Sequence, residues 1–257
     1  MGKIIAIVNQ KGGVGKTTTA VNLTAAVGLL GKKVLIIDAD PQGNTTSGFG
    51  INKREVALST YDLLIAGARA ENVKRTTTFK NVDIVPANMD LAGAEVELIG
   101  VENRQERLKL ALALCRDSYD YIFIDCPPSL SLITVNALVA SDTLLVPVQC
   151  EYYAMEGLSQ LLSSVRQVKR LYNQGLELEG VLLTMYDSRL NLTHQVVEEL
   201  KKFFADKIYK TTIPRAVRLS EAPSYGMPIQ YYDKRSKGAR AYDDLAKELI
   251  KNNRRGY

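Results

Sequence analysis

Histidine occurs once in the 257 residues, at His194, and no serine or cysteine nucleophile motif accompanies it. Triad chemistry therefore has no candidate, and His194 reads as a polar position on a helix starting near Thr193. Cysteine is scarce. Cys115, Cys126 and Cys150 are odd in number and lack a Cys-x-x-Cys spacing, which suggests neither a zinc ribbon nor a disulfide framework. They are expected as buried thiols. No run approaches the ~18 apolar residues of a membrane-spanning helix. The first ten residues lead straight into a glycine loop, not a cleavage site, so a cytoplasmic location is expected. Pro/Gly/Ser-rich linkers, internal repeats and low-complexity segments are not visible either. A single domain over residues 1–257 is the expectation, a length that one α/β architecture can reach.

What is present is ordinary in bulk: 46% apolar and 24% charged residues exclude a disordered chain. The charge is unevenly placed. Lys234, Arg235, Lys237, Arg240, Lys247, Lys251, Arg254 and Arg255 outnumber Asp243, Asp244 and Glu248 by five, which equals the net charge of the whole chain, +5. Such a basic segment, 234–257, points to a polyanion, either nucleic acid or an acidic membrane surface. A solvated helix with a frayed tail is the plainer reading of a charge run.

Apolar, β-branched runs recur at Ile4–Val8, Val34–Ile37, Val82–Val85, Tyr121–Ile124, Leu144–Val148 and Val181–Met185, with a further apparent strand at Ile208–Ile213. Between them, helical spacing marks Lys16–Leu30, Arg104–Cys115, Leu132–Ala140, Glu156–Tyr172, Thr193–Ala205 and Ala239–Lys251. Near-continuous apolar strands alternating with helices predict a doubly wound α/β fold, a mostly parallel sheet covered on both faces. Ligands of such sheets sit at the carboxyl ends of the strands.

The first strand runs into Asn9-Gln10-Lys11-Gly12-Gly13-Val14-Gly15-Lys16-Thr17-Thr18-Thr19 and then a helix. Glycines at 12, 13 and 15 let backbone N–H groups converge on phosphate oxygens, with the positive end of the helix dipole aimed at the same place. Within a cradle of Gly12, Gly13, Val14, Gly15, Lys16, Thr17 and Thr18, Lys16 would neutralise β/γ-phosphate charge and the Thr17 hydroxyl would ligate Mg²⁺. The common Gly-x4-Gly-Lys-Thr form fails at its first position, Gln10, and carries a second lysine, Lys11. That lysine cannot easily turn back on phosphates already surrounded by its own chain's amides. Projecting outward, it suits a nucleotide bound by a facing subunit. Asp125 at the end of a strand suits a magnesium site, usually through a water; for Asp38, Asp40 and Asp125 alike, helix capping or turn formation is the other reading.

Five blocks in order, Lys11–Thr18, Asp38-Ala-Asp-Pro-Gln-Gly-Asn44, Ile124-Asp-Cys-Pro-Pro-Ser129, Pro147-Val-Gln-Cys-Glu-Tyr-Tyr153 and Ile213–Pro223, resemble the deviant-Walker ParA/Soj family of DNA-partitioning ATPases over essentially the whole chain. The resemblance implies a P-loop NTPase with ATP and Mg²⁺ as cofactors. It implies that Lys11 acts on a nucleotide across a subunit interface, that Asp40 holds and polarises the attacking water and belongs with Thr17 and Asp125 to the metal site, and that Asp38 supports the metal shell. Pro127-Pro128-Ser129 would move with the γ-phosphate. Pro214 and Arg215 resemble the segment that packs on the adenine, near Met185, although relatives often place an asparagine close to Thr184 or Met185 and this chain does not.

Two functional readings follow. In one, Mg-ATP joins two subunits into a homodimer that holds double-stranded DNA nonspecifically at the nucleoid, without a membrane. Hydrolysis, stimulated by a ParB/Spo0J-type centromere-binding protein, then releases it. Arg189 and Arg218 match positions that the family uses on DNA, beside Lys234, Arg235, Lys237, Arg240, Lys247 and Lys251. About ten residues before the phosphate loop leave no room for a helix-turn-helix domain, so sequence-specific binding is not expected. The alternative is a MinD-like membrane-surface ATPase, which wants an exposed amphipathic C-terminal helix. Tyr242, Leu245, Ala246, Leu249 and Ile250 make a stripe there, more economically a core-packing face. An iron–sulfur ATPase like the nitrogenase iron protein wants cluster cysteines that these three do not match.

Overall fold

A computed structural model describes residues 1–151 and 154–254. Tyr152 and Tyr153 of the fourth block, and Arg255 of the basic segment, lie outside the described residues. Seven strands, β1 (Lys3–Ile7), β2 (Val34–Asp38), β3 (Arg75–Thr76), β4 (Val82–Val85), β5 (Tyr121–Asp125), β6 (Thr143–Gln149) and β7 (Glu177–Thr184), form one sheet in the order β3-β4-β2-β5-β1-β6-β7. Every pairing is parallel except that of the two-residue edge strand β3 with β4.

The strands read as apolar runs because both of their faces are covered. Alternate residues of β1 enter different cores: Ile4 and Ala6 join one, Ile5 and Ile7 the other, as the two-residue period of a strand requires. The first core is closed by the helices Leu132–Ala140, Ala154–Leu171 and Asn191–Phe204, through Ile133, Ala137, Leu158, Leu161, Val196 and Leu200. The second is closed by α1 (Lys16–Leu29) and the C-terminal helix Lys237–Arg254. The expected stripe Tyr242, Leu245, Ala246, Leu249 and Ile250 is buried against α1 and the sheet, and the Tyr242 hydroxyl pairs with that of Thr19 at 3.2 Å. Among the described residues no helix is long and apolar enough to cross a membrane.

Three expectations need correction. Ile208–Ile213 is not a strand. It touches β7 through one isolated bridge, Val181 with Ile208, and a second bridge, Tyr186 with Pro214, lies just past both; the backbone N–H groups of Lys210 and Thr211 donate instead to the Glu248 carboxylate, at 2.8 and 2.9 Å. The helix expected at Arg104–Cys115 spans only Arg107–Leu112. The Asn136 side chain takes the backbone groups at its start, donating to the Arg104 carbonyl at 2.6 Å and accepting from the Leu108 N–H at 3.2 Å. Of the three cysteines, Cys115 and Cys126 are buried but Cys150 is only partly so.

Candidate nucleotide site at the carboxyl edge

β1, β2 and β5 end together: Ile7 and Asp38 are both register partners of Asp125. Residues 9–15 turn from β1 over the first turn of α1, with Gly13 at φ +75° and Gly15, the residue that opens α1, at φ +86°. Only glycine adopts these angles without strain, and the result is a helix N-terminus facing a ring of loop amides, a site built for an anion. The loop is tied to neighbouring strand ends. Thr184 donates its hydroxyl to the Val14 carbonyl at 2.8 Å, and buried Asn9 donates to the Pro147 carbonyl at 2.8 Å while accepting from the Lys11 N–H at 3.0 Å. Val14 is thus an anchor, buried itself; the Thr18 carbonyl accepts from Asn22.

The two loop lysines take opposite directions. Lys16 folds into the loop and donates from Nζ to the Lys11 carbonyl at 3.0 Å. It is 7% exposed, and burial lowers its pKa against the attraction of Asp125, Cys126 and Asp40. Lys11 turns away from that interior and pairs with Glu151, just past β6. Glu151 sits inside a block quoted above, yet sequence alone gave it no role.

The charges of Asp125 and Asp40 act on Lys16. Asp125 is fully buried and its pKa is pushed up to about 7, first by burial and then by the neighbouring Asp38, against the hydroxyls of Thr45 and Thr17. Thr45 donates to its Oδ2 at 2.7 Å, whereas its Oδ1 has no hydrogen-bond partner among the described residues. An orphaned buried carboxylate oxygen calls for a cation or an ordered water. Thr17 with Asp125 Oδ1 fits Mg²⁺, an ion that takes oxygen ligands and most of its six from water and substrate phosphate.

Asp38, the register partner of Asp125, is bonded within its own turn. Its Oδ2 accepts from the Thr46 N–H and hydroxyl at 2.7 and 2.6 Å, and its Oδ1 from the Asp40 N–H at 3.2 Å. Burial raises its pKa to about 6 despite these bonds. These bonds make Asp38 a turn-former that holds the backbone of Asp40 in place. Thr46 extends the tie to the Ala87 N–H at 2.8 Å. Asp40 is 8% exposed and accepts from the Gln42 N–H at 2.9 Å; Lys16 senses its charge.

At the β7 side, Met185 adopts φ +49°, an angle uncommon for a residue with a Cβ. Pro214 is bridged to the adjacent Tyr186, and Arg215 is exposed beyond it. The three are brought to one edge of the site. The basic candidates are spread. Lys237 and Lys251 stand fourteen positions apart on one helix, or ~21 Å at 1.5 Å per residue. Arg189, Arg218 and Lys247 pair with Asp187, Glu221 and Asp244, whereas Lys234, Arg235, Lys237, Arg240 and Lys251 have no ion pair among the described residues. His194 is exposed, its Nε2 2.8 Å from the Ser188 carbonyl oxygen.

Comparison with known proteins accords with this geometry. The family described as AAA domain (AAA_31) matches residues 2–178. The sporulation initiation inhibitor protein Soj of Bacillus subtilis is 60% identical over 252 residues, covering 98% of this chain and all of its own. The chromosome partitioning protein ParA of Myxococcus xanthus is 50% identical, over 98% of this chain and 89% of its own. Among solved structures, cobyrinic acid a,c-diamide synthase of Mycobacterium smegmatis with a bound ATP analog and magnesium superposes with a TM-score of 0.87 at 34% identity, covering 100% and 98% of the two chains. The cell division ATPase MinD of Pyrococcus furiosus gives 0.81 at 27%, covering 98% and 99%.

Proposed function

The chain belongs to the ParA/Soj family of partitioning ATPases, and on that premise we propose that it is an ATP-driven DNA-partitioning switch acting as one domain over residues 1–257. Mg-ATP joins two copies face to face, the pair holds DNA without regard to sequence, and hydrolysis, stimulated by a ParB-type centromere-binding protein, lets go. The observation that carries the reading is the opposed direction of the two lysines: Lys16 inside its own loop, Lys11 outside it.

In this reading the loop amides of Gly12–Lys16 and the first turn of α1 hold the phosphates, and Lys16 neutralises the charge that develops on them. Lys11 reaches the nucleotide of the facing copy. Mg²⁺, when bound, supplies charge neutralisation between the phosphates, and Thr17 with Asp125 would hold it. Asp40 accepts a hydrogen bond from the attacking water and orients it. Met185, Pro214 and Arg215 border the base.

The DNA contact rests on the basic residues. Lys234, Arg235, Lys237, Arg240 and Lys251 have no ion pair among the described residues and count first; Arg189, Arg218 and Lys247 would exchange an exposed carboxylate for a phosphate. Three to five contacts per subunit give a dimer with about six to ten, hence a slope of log K against log salt of roughly −5 to −9. The reading predicts a cytoplasmic, nucleoid-associated protein. A membrane-surface role is disfavoured because the apolar stripe of the C-terminal helix is already used in the core. The test is DNA binding with light scattering under ATP, ADP and no nucleotide, on random and defined duplexes. Equal binding by monomers in all three states would refute the switch, and a salt-insensitive interaction would refute phosphate contact.

A further inference from the structure

Asn9 is 5% exposed and bonds two segments at once, the Lys11 backbone N–H and the Pro147 carbonyl near the end of β6. Two residues beyond β6, the Glu151 N–H donates to the Gln149 carbonyl at 2.8 Å and turns the chain back. A buried amide and a tight turn thus fix both backbones from which the Lys11–Glu151 ion pair is made. The pair itself lies at the surface, with side chains 36% and 45% exposed. No other carboxylate pairs with Lys11 among the described residues.

We propose that Glu151 is an in-chain competitor for Lys11, a latch that must open before this lysine can reach a phosphate held by a facing copy of the chain. The inference rests on the two-subunit reading above and adds to it a resting state. In the monomer Lys11 is neutralised and held to its own subunit. The triphosphate of a facing copy takes it by offering more negative charge than one carboxylate. A nucleotide that presents less charge leaves the latch closed. Glu151 is thus a positioning residue that sets the threshold for assembly without touching the nucleotide of its own subunit.

The magnitude follows from exposure. A surface ion pair shifts an equilibrium by at most about fivefold, and two such pairs open per dimer, so removing the latch tightens the dimer by at most about 25-fold. The experiment is sedimentation equilibrium of the full chain with Mg²⁺ and a non-hydrolysable ATP analogue, comparing wild type, Glu151→Gln and Lys11→Ala. Glu151→Gln is expected to lower the dimer dissociation constant between 2- and 25-fold at low salt. The gain should shrink as salt screens the wild-type pair. Nucleotide affinity and melting temperature of the monomeric variant should equal those of wild type, which excludes misfolding. A dimer of unchanged or weaker affinity in Glu151→Gln overturns the latch. If Lys11→Ala meanwhile abolishes the dimer, the two-subunit reading survives that failure; normal dimerisation of Lys11→Ala overturns both.

Discussion

Gly12→Val separates what the chain demands of its phosphate loop from what a second copy demands. A Cβ built on Gly12 meets no heavy atom of the described residues within 4 Å, and its φ lies outside the left-handed region. None of the described residues therefore requires glycine there, and the stability change should stay within about 0.5 kcal/mol, as for other surface substitutions. Gly13 next door is equally open but sits at φ +75°, so Gly13→Val costs about 1–2 kcal/mol from backbone strain alone. The two variants differ by one position and should differ in melting temperature, while both place bulk at the loop crest. If the crest faces another subunit, Gly12→Val binds nucleotide as a monomer with near wild-type affinity and yet fails to dimerise. Isothermal titration with Mg-ATP analogue measures the first, and sedimentation equilibrium at concentrations up to 100-fold above the wild-type dissociation constant measures the second. A normal dimer would refute the face-to-face geometry. A loss of melting temperature as large as that of Gly13→Val would refute the claim that the subunit tolerates a side chain at this point.

Asp40→Ala is expected to keep ATP binding and dimerisation but to abolish turnover, and Lys16→Ala to lose nucleotide; lost binding in Asp40→Ala would assign that residue to the cradle. The raised pKa values of Asp38, about 6, and Asp125, about 7, mean that the folded, nucleotide-free protein binds more protons than the unfolded chain between pH 4 and 7. Stability therefore falls as pH rises through that window. Thermal melts without nucleotide at pH 4.5 to 7.5 check the sign, Asp38→Asn should flatten the slope, and a melting temperature that climbs through the window would contradict the burial argument. Gly28→Ala should destabilise by about 1–3 kcal/mol, because its Cβ would come within 2.4 Å of the Lys80 carbonyl oxygen. Denaturant titration measures that loss, and unchanged stability would mean that the α1 contact with that turn yields freely.

The central strands, α1 and the C-terminal helix were legible because their apolar pattern coincides with their burial: β1, β2 and β5 are covered on both faces. The phosphate loop was legible because its glycines, lysine and threonine are contiguous. What stayed hidden depends on contacts across the chain. The segment at 208–213 has the composition of a strand, and only the carboxylate of Glu248, 38 residues downstream of Lys210, diverts its backbone from the ladder. The bonds of Asp38 to Thr46 depend on the path of the loop, and no spacing rule predicts that path. Glu151 was visible as a residue in a quoted block, but its pairing depends on Asn9 bringing two strand ends together.

Charge gives the site a preference for what enters it. Asp125 and Asp38 are buried side by side at register partners, with one buried lysine between them and the loop. A bare polyphosphate approaching the loop amides would bring more negative charge next to two carboxyls already pushed towards protonation, and the helix dipole with one ammonium opposes only part of that repulsion. In the proposed site the same anion arriving with a divalent cation would place positive charge at Asp125 Oδ1, which has no hydrogen-bond partner among the described residues, and would lower the carboxyl pKa and the repulsion together. Affinity for nucleotide without magnesium should therefore be weak at neutral pH and improve as pH falls towards 6, because protons then do part of the cation's work, whereas affinity with magnesium should change little over the same range. Titration of ADP with and without Mg²⁺ at pH 6 and pH 8 measures this, and equal magnesium-free affinity at the two pH values would show that the buried carboxyl pair does not govern entry.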